Sequence, residues 1–443
     1  MPVQPRTTQG VLELLPSNQI AFQQMLETIR HGFERFGFLP VETPVFELVD
    51  VLLTKSGGET EKQVYFVQST GAIEQGKKPE LALRFDLTVP LARYVAEHEA
   101  KLNFPFRRYQ IQRVYRGERA QKGRYREFYQ CDIDVIGKDK LSIAYDSELP
   151  AVIYGIFTEL AFGKFTICIN NRKLLRGLME TFQIEQQTEV LHEVDRLRKA
   201  GREKVEGLVA AITGADKAKQ LLDVLTQDWR AATAAFEATD NATLREGIAE
   251  LRRVYDGTRA LGVPESFIQV DLSIVRGLDY YTGTVYETFL DDHPEYGSIC
   301  SGGRYENLAG LYTKSKLPGV GISIGVTRLL SAMLENQGEV KRSVAQAIVL
   351  NFDPQLADEY ARIATELRAA GLNVEVYGED DKPGKQFKFA NNSGIPIAIV
   401  MGSRERESGV VKLKDMRVTD VTANNETEVP RGEVVARLRA LLG

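Results

Sequence analysis

The segment 113–137, RVYRGERAQKGRYREFYQCDIDVIG, ends in a run where polar and apolar residues alternate. Side chains of a β-strand point to opposite faces in turn, so this run predicts a strand with Gln130, Asp132 and Asp134 on one face. The other face carries Tyr129, Cys131, Ile133 and Val135. One face is therefore apolar and can be buried, while the other offers two carboxylates and an amide.

A polar strand predicted for 108–116 precedes this run, and a basic tip at 116–126 separates the two. Arg116 suits a phosphate, because its planar guanidinium donates two parallel hydrogen bonds. The two acids and the amide suit a substrate that carries an amine. The pattern favours a site that binds a nucleotide beside an amino acid. For this segment alone, a solvated hairpin with surface ion pairs is the alternative.

Length and composition indicate a soluble protein of several domains. A chain of 443 residues exceeds one ordinary core, so we expect two or three domains. Its 43% hydrophobic and 26% charged residues are typical of soluble proteins, and no apolar run is long enough to span a bilayer. The first residues lack the pattern of a secretion signal, and the three distant cysteines form neither a disulfide framework nor a zinc site. We therefore expect a cytoplasmic location.

Several kinds of site are disfavoured by the sequence. The net charge of −5 gives the whole chain no attraction to nucleic acid, so RNA binding would need local basic patches. The four histidines lack the spacing of metal ligands, and there is no Walker P-loop, HExxH or GxSxG motif. Gly319, Gly321 and Gly325 do not match the GxGxxG spacing of a Rossmann site. We expect no protein metal site.

Upstream of the alternating segment, periodicity predicts a helix at 19–36, strands at 38–46 and 81–88, and a helix at 89–99. Pro40 and Pro44 interrupt the first strand, which indicates a sheet edge at a boundary or an interface. The second strand again alternates, with Arg84, Asp86 and Thr88 on its polar face.

Downstream, the character of the chain changes twice. A helix is predicted for 145–160 and a strand for 164–170, and the charged region 171–262 reads as an inserted helical module. Strand signals return at 267–287, followed by two glycine-rich turns, SGGRYENLAG and LPGVGISIGVTRLL, the second opening a helix at 326–334. Beyond a linker near 338–343, alternating strands and helices predict a separate α/β domain.

The second segment that carries chemistry is 274–287, IVRGLDYYTGTVYE. Arg276 could reach a phosphate or a carboxylate. Tyr280 and Tyr281 combine an apolar ring with a hydroxyl, which suits a small polar ring as ligand. A β-hairpin with aromatic core residues is the alternative for this segment alone.

Together these segments resemble the class II aminoacyl-tRNA synthetases, and within them the histidyl-tRNA synthetase family. The strand with Pro44 looks like motif 1, the segment 113–137 like motif 2, and GVGISIGVTRLL like motif 3. RGLDYYTGTVYE and SGGRYENLAG look like the two histidine signatures of that family. The class motifs are loose patterns, whereas the histidine signatures are specific, and their order is kept over nearly the whole chain.

The resemblance implies an α+β fold, in which a class II antiparallel-sheet catalytic domain with a helical insertion precedes a C-terminal α/β anticodon-binding domain. The implied boundaries are 1–170 and 263–337 for the two parts of the catalytic domain, 171–262 for the insertion and 343–443 for the anticodon-binding domain.

The resemblance also implies roles for single residues. Arg116 and Arg276 would be catalytic, on opposite sides of the α-phosphate of ATP, with Glu118 at the adenine end and Arg328 at the γ-phosphate. The α-amino group of histidine would be held by Asp86, Thr88 and Gln130. The other histidine-binding residues would be Asp134 and Tyr281 at the ring nitrogens, with Arg276, Tyr280 and Tyr305 around the pocket. The acceptor end of the tRNA would meet Gln121, Lys122 and Arg124.

The implied activity is that of a histidine–tRNA ligase, which uses L-histidine, ATP with Mg²⁺ and a histidine tRNA, needs no prosthetic group and works as a homodimer. A synthetase-like regulatory subunit of ATP phosphoribosyltransferase, which binds histidine without ligating it, is the main alternative. A ligase for another amino acid is disfavoured by both signatures. Asp86 and Asp134 stand where many bacterial members have glutamate, and Gly117 and Ala120 are unusual in the motif 2 loop.

Overall fold

The computed structural model describes residues 3–53, 63–118, 123–275, 281–307, 309–310, 312–336, 341–418 and 425–443. The chain forms two compact units. The first comprises Met1–Glu13 and Met25–Asn336, and the second Leu14–Gln24 and Gln337–Gly443. Within the described residues, no helix has both the length and the apolar character that a membrane crossing requires.

The first unit is built on β-strands flanked by helices. Its strands are β1 (Leu39–Pro40), β2 (Phe46–Leu48), β3 (Phe66–Val67), β4 (Leu81–Leu83), β5 (Phe106–Tyr115), β6 (Glu127–Ile136), β7 (Phe165–Asn171), β8 (Ile268–Val270), β9 (Tyr281–Leu290), β10 (Ser298–Tyr305) and β11 (Gly319–Ile324). Helices associated with these strands are α1 (Pro16–Arg35, of which 25–35 belongs to this unit), α2 (Val49–Leu53), α3 (Thr70–Glu74), α4 (Thr88–His98) and α5 (Ala144–Glu159).

Eight of these strands form one sheet in the order β1-β5-β6-β11-β10-β9-β7-β8. Every neighbouring pair is antiparallel except the two outermost, β1 with β5 and β7 with β8. The predicted hairpin around 116–126 is confirmed as the antiparallel β5–β6 pair. The sheet is therefore the antiparallel sheet that the class II resemblance implies.

The apolar face of β6 is buried as predicted, with Cys131, Ile133 and Val135 fully inaccessible. The polar face, with Gln130, Asp132 and Asp134, is buried too, and the chain near Thr43 and Arg84 bonds to the same face of the adjacent strand β5, at Gln110 and Gln112. Arg84 donates to the Thr43 carbonyl at 2.7 Å and to Gln112 Oε1 at 2.8 Å. Burial is tolerated there since this part of the chain supplies hydrogen-bond partners to that face of β5.

The two glycine-rich segments are not turns, as the sequence predicted, but the strands β10 and β11. Their glycines make room for neighbours within the sheet. A Cβ at Gly302 would overlap the carbonyl of Gly321 on the adjacent strand, and a Cβ at Gly319 would overlap the ring of Tyr305. Glycine in a strand interior weakens the strand but permits such close approach, so these residues serve the packing of the sheet.

The predicted strand 38–46 is also wrong in extent. It is divided into β1 and β2, and β2 belongs to a separate three-stranded sheet in the order β2-β4-β3. Val41 still donates to the Tyr109 carbonyl of β5 at 2.9 Å, and the break that follows contains Pro44, which has no N–H to donate to a ladder. This small sheet exposes apolar side chains, among them Phe46, Leu48 and Phe66.

Between β7 and β8 the described chain is helical. The helices are α6 (Arg172–Thr181), α7 (Gln187–Val194), α8 (Leu197–Ala200), α9 (Arg202–Thr213), α10 (Ala215–Thr226), α11 (Trp229–Ala234) and α12 (Ala242–Ala260), and α13 (Val326–Asn336) follows β11. The helices α6 and α12 cross closely at two glycines, because a Cβ at Gly177 would overlap Leu244 and one at Gly247 would overlap Leu174.

The second unit holds a five-stranded sheet in the order β13-β12-β14-β15-β16. Its strands are β12 (Ala347–Val349), β13 (Val374–Val376), β14 (Ile397–Val400), β15 (Val410–Asp415) and β16 (Glu426–Pro430), and its helices are α14 (Ala357–Ala369), α15 (Pro383–Asn392), α16 (Ser403–Glu407) and α17 (Val434–Leu442). Asp353 caps the turn before α14, accepting from the Gln355 N–H at 3.0 Å. Apolar residues of α14 and α17 pack on the sheet, among them Ile363 and Leu438.

Candidate active site

A cavity of about 440 Å³ opens on the polar face of the eight-stranded sheet. Strands β6, β9, β10 and β11, the start of α4 and the start of α13 all contribute to it. Its charged lining residues are Asp86, Arg116, Glu118, Arg124, Glu287 and Arg328. Cations and carboxylates thus share one cavity large enough for small-molecule ligands.

Arg116 lies just beyond β5 and is held in place on two sides. Its Nε donates to the Phe85 carbonyl at 3.0 Å, and its guanidinium lies 5.1 Å from the centre of the Phe128 ring. These contacts involve the Nε edge and one face of the group. A guanidinium positioned in this way presents its remaining N–H groups as a fork, the geometry that suits a phosphate.

Arg328 stands in the first turn of α13 and donates to the Ser298 carbonyl at 2.5 Å. Arg124 and Glu118 line the same cavity, with Arg124 Nη1 3.9 Å from Glu118 Oε2. Three arginines, two from the connection between β5 and β6 and one from α13, therefore line one cavity. Such an arrangement favours a polyanion.

Asp86 lies at the start of α4, where its Oδ1 accepts from the Val89 N–H at 3.1 Å. Its Oδ2 is buried and has no hydrogen-bond partner among the described residues. Burial raises the pKa of Asp86, and the Val89 N–H and the charge of Arg116 oppose that rise. A buried acceptor without a partner is costly, and an ammonium group of a ligand would satisfy it.

Gln130 and Thr88 line the cavity beside Asp86. The Gln130 side chain donates from Nε2 to Ser323 Oγ on β11 at 2.8 Å. Its Oε1 is buried and lacks a partner among the described residues. Gln130 therefore offers a second acceptor near that of Asp86.

Asp134 and Tyr305 bond to each other and are not among the residues that line the cavity. Arg108 Nη2 approaches Asp134 Oδ2 at 2.6 Å, and the Tyr305 hydroxyl donates to Asp134 Oδ1 at 2.9 Å. Burial raises the pKa of Asp134 to about 6, and Arg108 opposes that rise. Gly321 makes the arrangement possible, because a Cβ there would overlap Asp134 Oδ1.

The structure brings most predicted site residues to one place. The cavity is lined by Asp86, Thr88, Arg116, Glu118, Arg124, Gln130, Tyr281 and Arg328, while Asp134 and Tyr305 lie in the same sheet but outside the lining. Four predicted residues, Gln121, Lys122, Arg276 and Tyr280, lie outside the described residues. Among the residues that are described, no cluster of three His, Cys, Asp or Glu side chains is arranged to hold a metal ion.

Three contributors to the site were not assigned a role from the sequence. Arg108 is fully buried and pairs with Asp134, Ser323 holds Gln130, and Glu287 lines the cavity from β9. Arg108 could have been found, because antiparallel pairing of the predicted hairpin places it opposite Asp134. Ser323 gave no signal, since it was assigned to a turn.

The comparisons with known proteins agree with this geometry. Residues 10–329 match the family model described as "Histidyl-tRNA synthetase", and residues 346–441 match that of "Anticodon binding domain". A "Histidine--tRNA ligase" of Xanthomonas campestris pv. campestris (strain 8004) is 55% identical over 467 aligned positions, covering 99% of this chain and 97% of the relative.

The fold comparison gives the same result. The crystal structure of histidyl-tRNA synthetase from Nostoc sp. PCC 7120 covers all of both chains with a TM-score of 0.90 and 36% identity. The sheet, its cavity and the appended second unit define a class II aminoacyl-tRNA synthetase. Since the family model covers most of the chain and the relative covers nearly all of it, the chain belongs to the histidyl-tRNA synthetase family.

Proposed function

We infer that this chain is a histidine–tRNA ligase, which activates L-histidine with ATP and transfers the histidyl group to the 3′ end of a histidine tRNA. The observation that carries the inference is the 55% identity to a histidine–tRNA ligase over 99% of the chain. A cavity where cations for a polyphosphate adjoin buried acceptors for an amine supports it.

In the first step, an oxygen of the histidine carboxylate attacks the α-phosphorus of ATP. A new P–O bond forms, the bond to the bridging oxygen breaks, and pyrophosphate leaves with that oxygen. Negative charge gathers on the α-phosphate, so Arg116 stabilises the transition state more than the ground state. We assign the opposite side of the α-phosphate to Arg276, the γ-phosphate to Arg328 and the adenine end to Glu118. No nucleophilic side chain is needed, because positioning brings the two substrates together.

In the second step, a hydroxyl of the terminal tRNA ribose attacks the carbonyl carbon of histidyl-adenylate, and AMP leaves. Arg124, on the cavity wall, is our candidate for contact with the tRNA end, together with Gln121 and Lys122. ATP enters as its magnesium complex. Glu287 is the carboxylate of the cavity wall to which we assign no other role, and it would complete the coordination of an ion carried on the phosphates.

We propose that Asp86, Thr88 and Gln130 hold the α-amino group of histidine. We assign the imidazole to Asp134 and Tyr281, with Tyr280 and Tyr305 shaping the pocket and Arg276 beside it. A buried site built to bond both ring nitrogens rejects amino acids that cannot pair with it, because its polar groups would be left unsatisfied. The pairing of Asp134 with Arg108 supports this role, since a charged neighbour keeps the buried carboxylate an acceptor.

The regulatory-subunit alternative is weaker. A chain from Bacillus halodurans C titled as an ATP phosphoribosyltransferase regulatory subunit/histidyl-tRNA synthetase matches with a TM-score of 0.73, but at 21% identity this shows the fold alone. Arg116 and Arg328 both line the cavity, and the second unit matches the anticodon-binding family. Binding histidine without ligating it would need neither feature.

The division into a catalytic domain at 1–170 and 263–337, an insertion at 171–262 and an anticodon-binding domain at 343–443 is part of the proposal, as are a homodimer and a cytoplasmic location. Exposed apolar side chains on β1 and the small sheet support the dimer: Leu39 is 58% exposed, Phe46 50% and Phe66 51%. Phe46→Asp should shift the chain from dimer to monomer in light scattering. An unchanged mass would exclude this surface as the interface.

Histidine-dependent exchange of labelled pyrophosphate into ATP, followed by charging of a histidine tRNA, tests the function. Exchange without charging would leave adenylate formation standing and contradict the tRNA step. An absence of exchange from folded protein would favour the regulatory alternative. Arg276→Ala should lower the exchange rate by roughly two to three decades with a smaller effect on histidine affinity. A loss confined to affinity would refute its role at the α-phosphate.

A further inference from the structure

Ser323, on β11, lies next to two polar residues of β6. Gln130 donates from Nε2 to Ser323 Oγ at 2.8 Å, and Asp132 lies directly opposite Ser323 in the β6–β11 register. The Ser323 hydroxyl also lowers the pKa of the Asp132 carboxyl, against the rise that burial causes. Ser323 and Gln130 both line the cavity, whereas Asp132 is not among its described lining residues.

The direction of the hydrogen bond between Gln130 Nε2 and Ser323 Oγ decides whether Gln130 presents an oxygen or an NH₂ group to a ligand. An amide presents either its oxygen or its NH₂ to a given point, depending on which partner its other end finds. Here Nε2 is bonded to Ser323, so the buried Oε1 is left with no partner among the described residues. An oxygen attracts an ammonium group, while an NH₂ group would repel it.

Ser323 can accept from Gln130 only while its own proton points elsewhere. A hydroxyl has one proton to give. Asp132 lies opposite Ser323 in the strand register, and its buried Oδ1 has no hydrogen-bond partner among the described residues, so this carboxylate is available to accept that proton. Without that acceptor, the Ser323 proton could turn toward Gln130, whose amide would then flip. The Asp132 carboxylate therefore favours one direction of the Ser323 O–H bond, and that direction in turn favours one orientation of the Gln130 amide.

We propose that Asp132 and Ser323 are positioning residues for amine recognition, which hold the Gln130 amide with its oxygen toward the α-ammonium group of histidine. The inference rests on the proposed role of Gln130 and deepens it. Asp132 acts through Ser323 without touching the substrate, so its replacement should change the binding of ligands that carry an amine and spare ligands that lack one.

The test compares Asp132→Leu, which removes the acceptor, and Ser323→Ala, which removes the connection, with the wild type. Pyrophosphate exchange gives KM and kcat for histidine, and inhibition constants are measured for histidinol, which keeps the amine, and imidazolepropionate, which lacks it. One lost hydrogen bond to a charged group corresponds to roughly a tenfold change. We expect about that rise in KM and in the histidinol constant, a smaller change in kcat, and an unchanged imidazolepropionate constant.

Two further variants sharpen the test. The double variant should resemble either single variant rather than multiply their effects, because both interrupt one connection. Asp132→Asn keeps a neutral acceptor and should restore most of the affinity. Ser331→Ala is the matched control: its hydroxyl donates to the Thr327 carbonyl within α13, outside the proposed connection.

Three outcomes would overturn the proposal. Equal weakening of both inhibitors would show that the variants disturb the pocket as a whole. An effect of Asp132→Leu without one of Ser323→Ala would mean that Asp132 contacts the ammonium directly. Additive effects would mean that the two residues act separately. If Gln130→Ala left the preference for histidinol unchanged, the proposed role of Gln130 would fail, whereas a wild type without histidine-dependent exchange would refute the proposed function itself.

Discussion

Replacing Asp132 with asparagine should stabilise the protein in a pH-dependent way. Burial raises the pKa of Asp132 to about 7, and the nearby carboxylates Asp134 and Asp86 raise it further, while Arg108 and the Ser323 hydroxyl oppose the rise. In the unfolded chain, the pKa of an aspartate carboxyl is about 3.9. Ionised Asp132 therefore costs folding free energy, and the cost is largest where the folded carboxyl is fully charged.

The magnitude follows from the difference between the two pKa values. Three units at about 1.4 kcal/mol each give an upper bound of about 4 kcal/mol at pH well above 7. The folded state binds more protons than the unfolded state between about pH 4 and pH 7, so wild-type stability should fall as pH rises through that window. At about pH 5 Asp132 still destabilises the folded state by roughly 1.5 kcal/mol. At that pH its carboxyl is ionised in the unfolded chain, and folding must protonate it.

Asparagine removes the charge but buries an amide in its place, which costs about 1–3 kcal/mol if it is incompletely bonded. That cost is the same at both pH values and cancels in the comparison. Asp134 is present in both proteins, so its own titration cancels to first order. The stability gained from Asp132→Asn should therefore be about 2–3 kcal/mol larger near pH 8.5 than near pH 5.

Urea unfolding followed by circular dichroism at several pH values measures this difference through the transition midpoints. Parallel pH profiles for wild type and variant would refute the reasoning, because they would mean that Asp132 titrates alike in both states. A variant that loses stability only near pH 8.5 would show that charged Asp132 is stabilised by its surroundings.

Three further substitutions test separate features. Gly321→Ala should cost about 1–3 kcal/mol of stability and weaken histidine binding, because its Cβ would overlap Asp134. The control is Gly207→Ala in α9, where a Cβ meets open space. This control should raise the melting temperature, because alanine favours a helix more than glycine does. Arg304→Met should lower the free energy of unfolding in urea by about 3–5 kcal/mol. The substitution leaves buried Asp146, which Arg304 Nη2 approaches at 2.6 Å, without its charged partner. Arg116→Lys should slow pyrophosphate exchange by at least tenfold, because lysine cannot donate the fork; an unchanged rate would exclude Arg116 from the α-phosphate.

Alternation predicted the core of the site well. The strand period placed Gln130, Asp132 and Asp134 on one face of β6, and the antiparallel partner β5 brings Arg108 opposite Asp134. Neighbours of this kind can be predicted from the alternation of residues along one strand and from its antiparallel pairing with the next strand. The helix predicted at 145–160 is likewise confirmed, with bounds one residue away, at Ala144–Glu159.

What the sequence could not give depends on contacts between distant segments. Glycines in β10 and β11 were taken for turns, because glycine in isolation signals a turn more often than a crowded strand. Only the assembled sheet shows that Gly321 clears space for Asp134 and Gly319 for Tyr305. The hydrogen bonds of Gln110 and Gln112 on the polar face of β5 could not be foreseen either, since their partners Thr43 and Arg84 arrive from other parts of the chain.

The even spacing of the site residues on β6 limits how this pocket can change. Substitutions can alter Gln130, Asp132 or Asp134 one at a time without changing the strand register or the face on which the other side chains lie. A single inserted or deleted residue between Glu127 and Gln130 would instead turn every later side chain to the opposite face, which would place the acids in the apolar core and Ile133 on the polar face. Length variation among related chains should therefore be confined to the tip before β6 and to the helical region, while differences in amino-acid preference should arise by replacement alone.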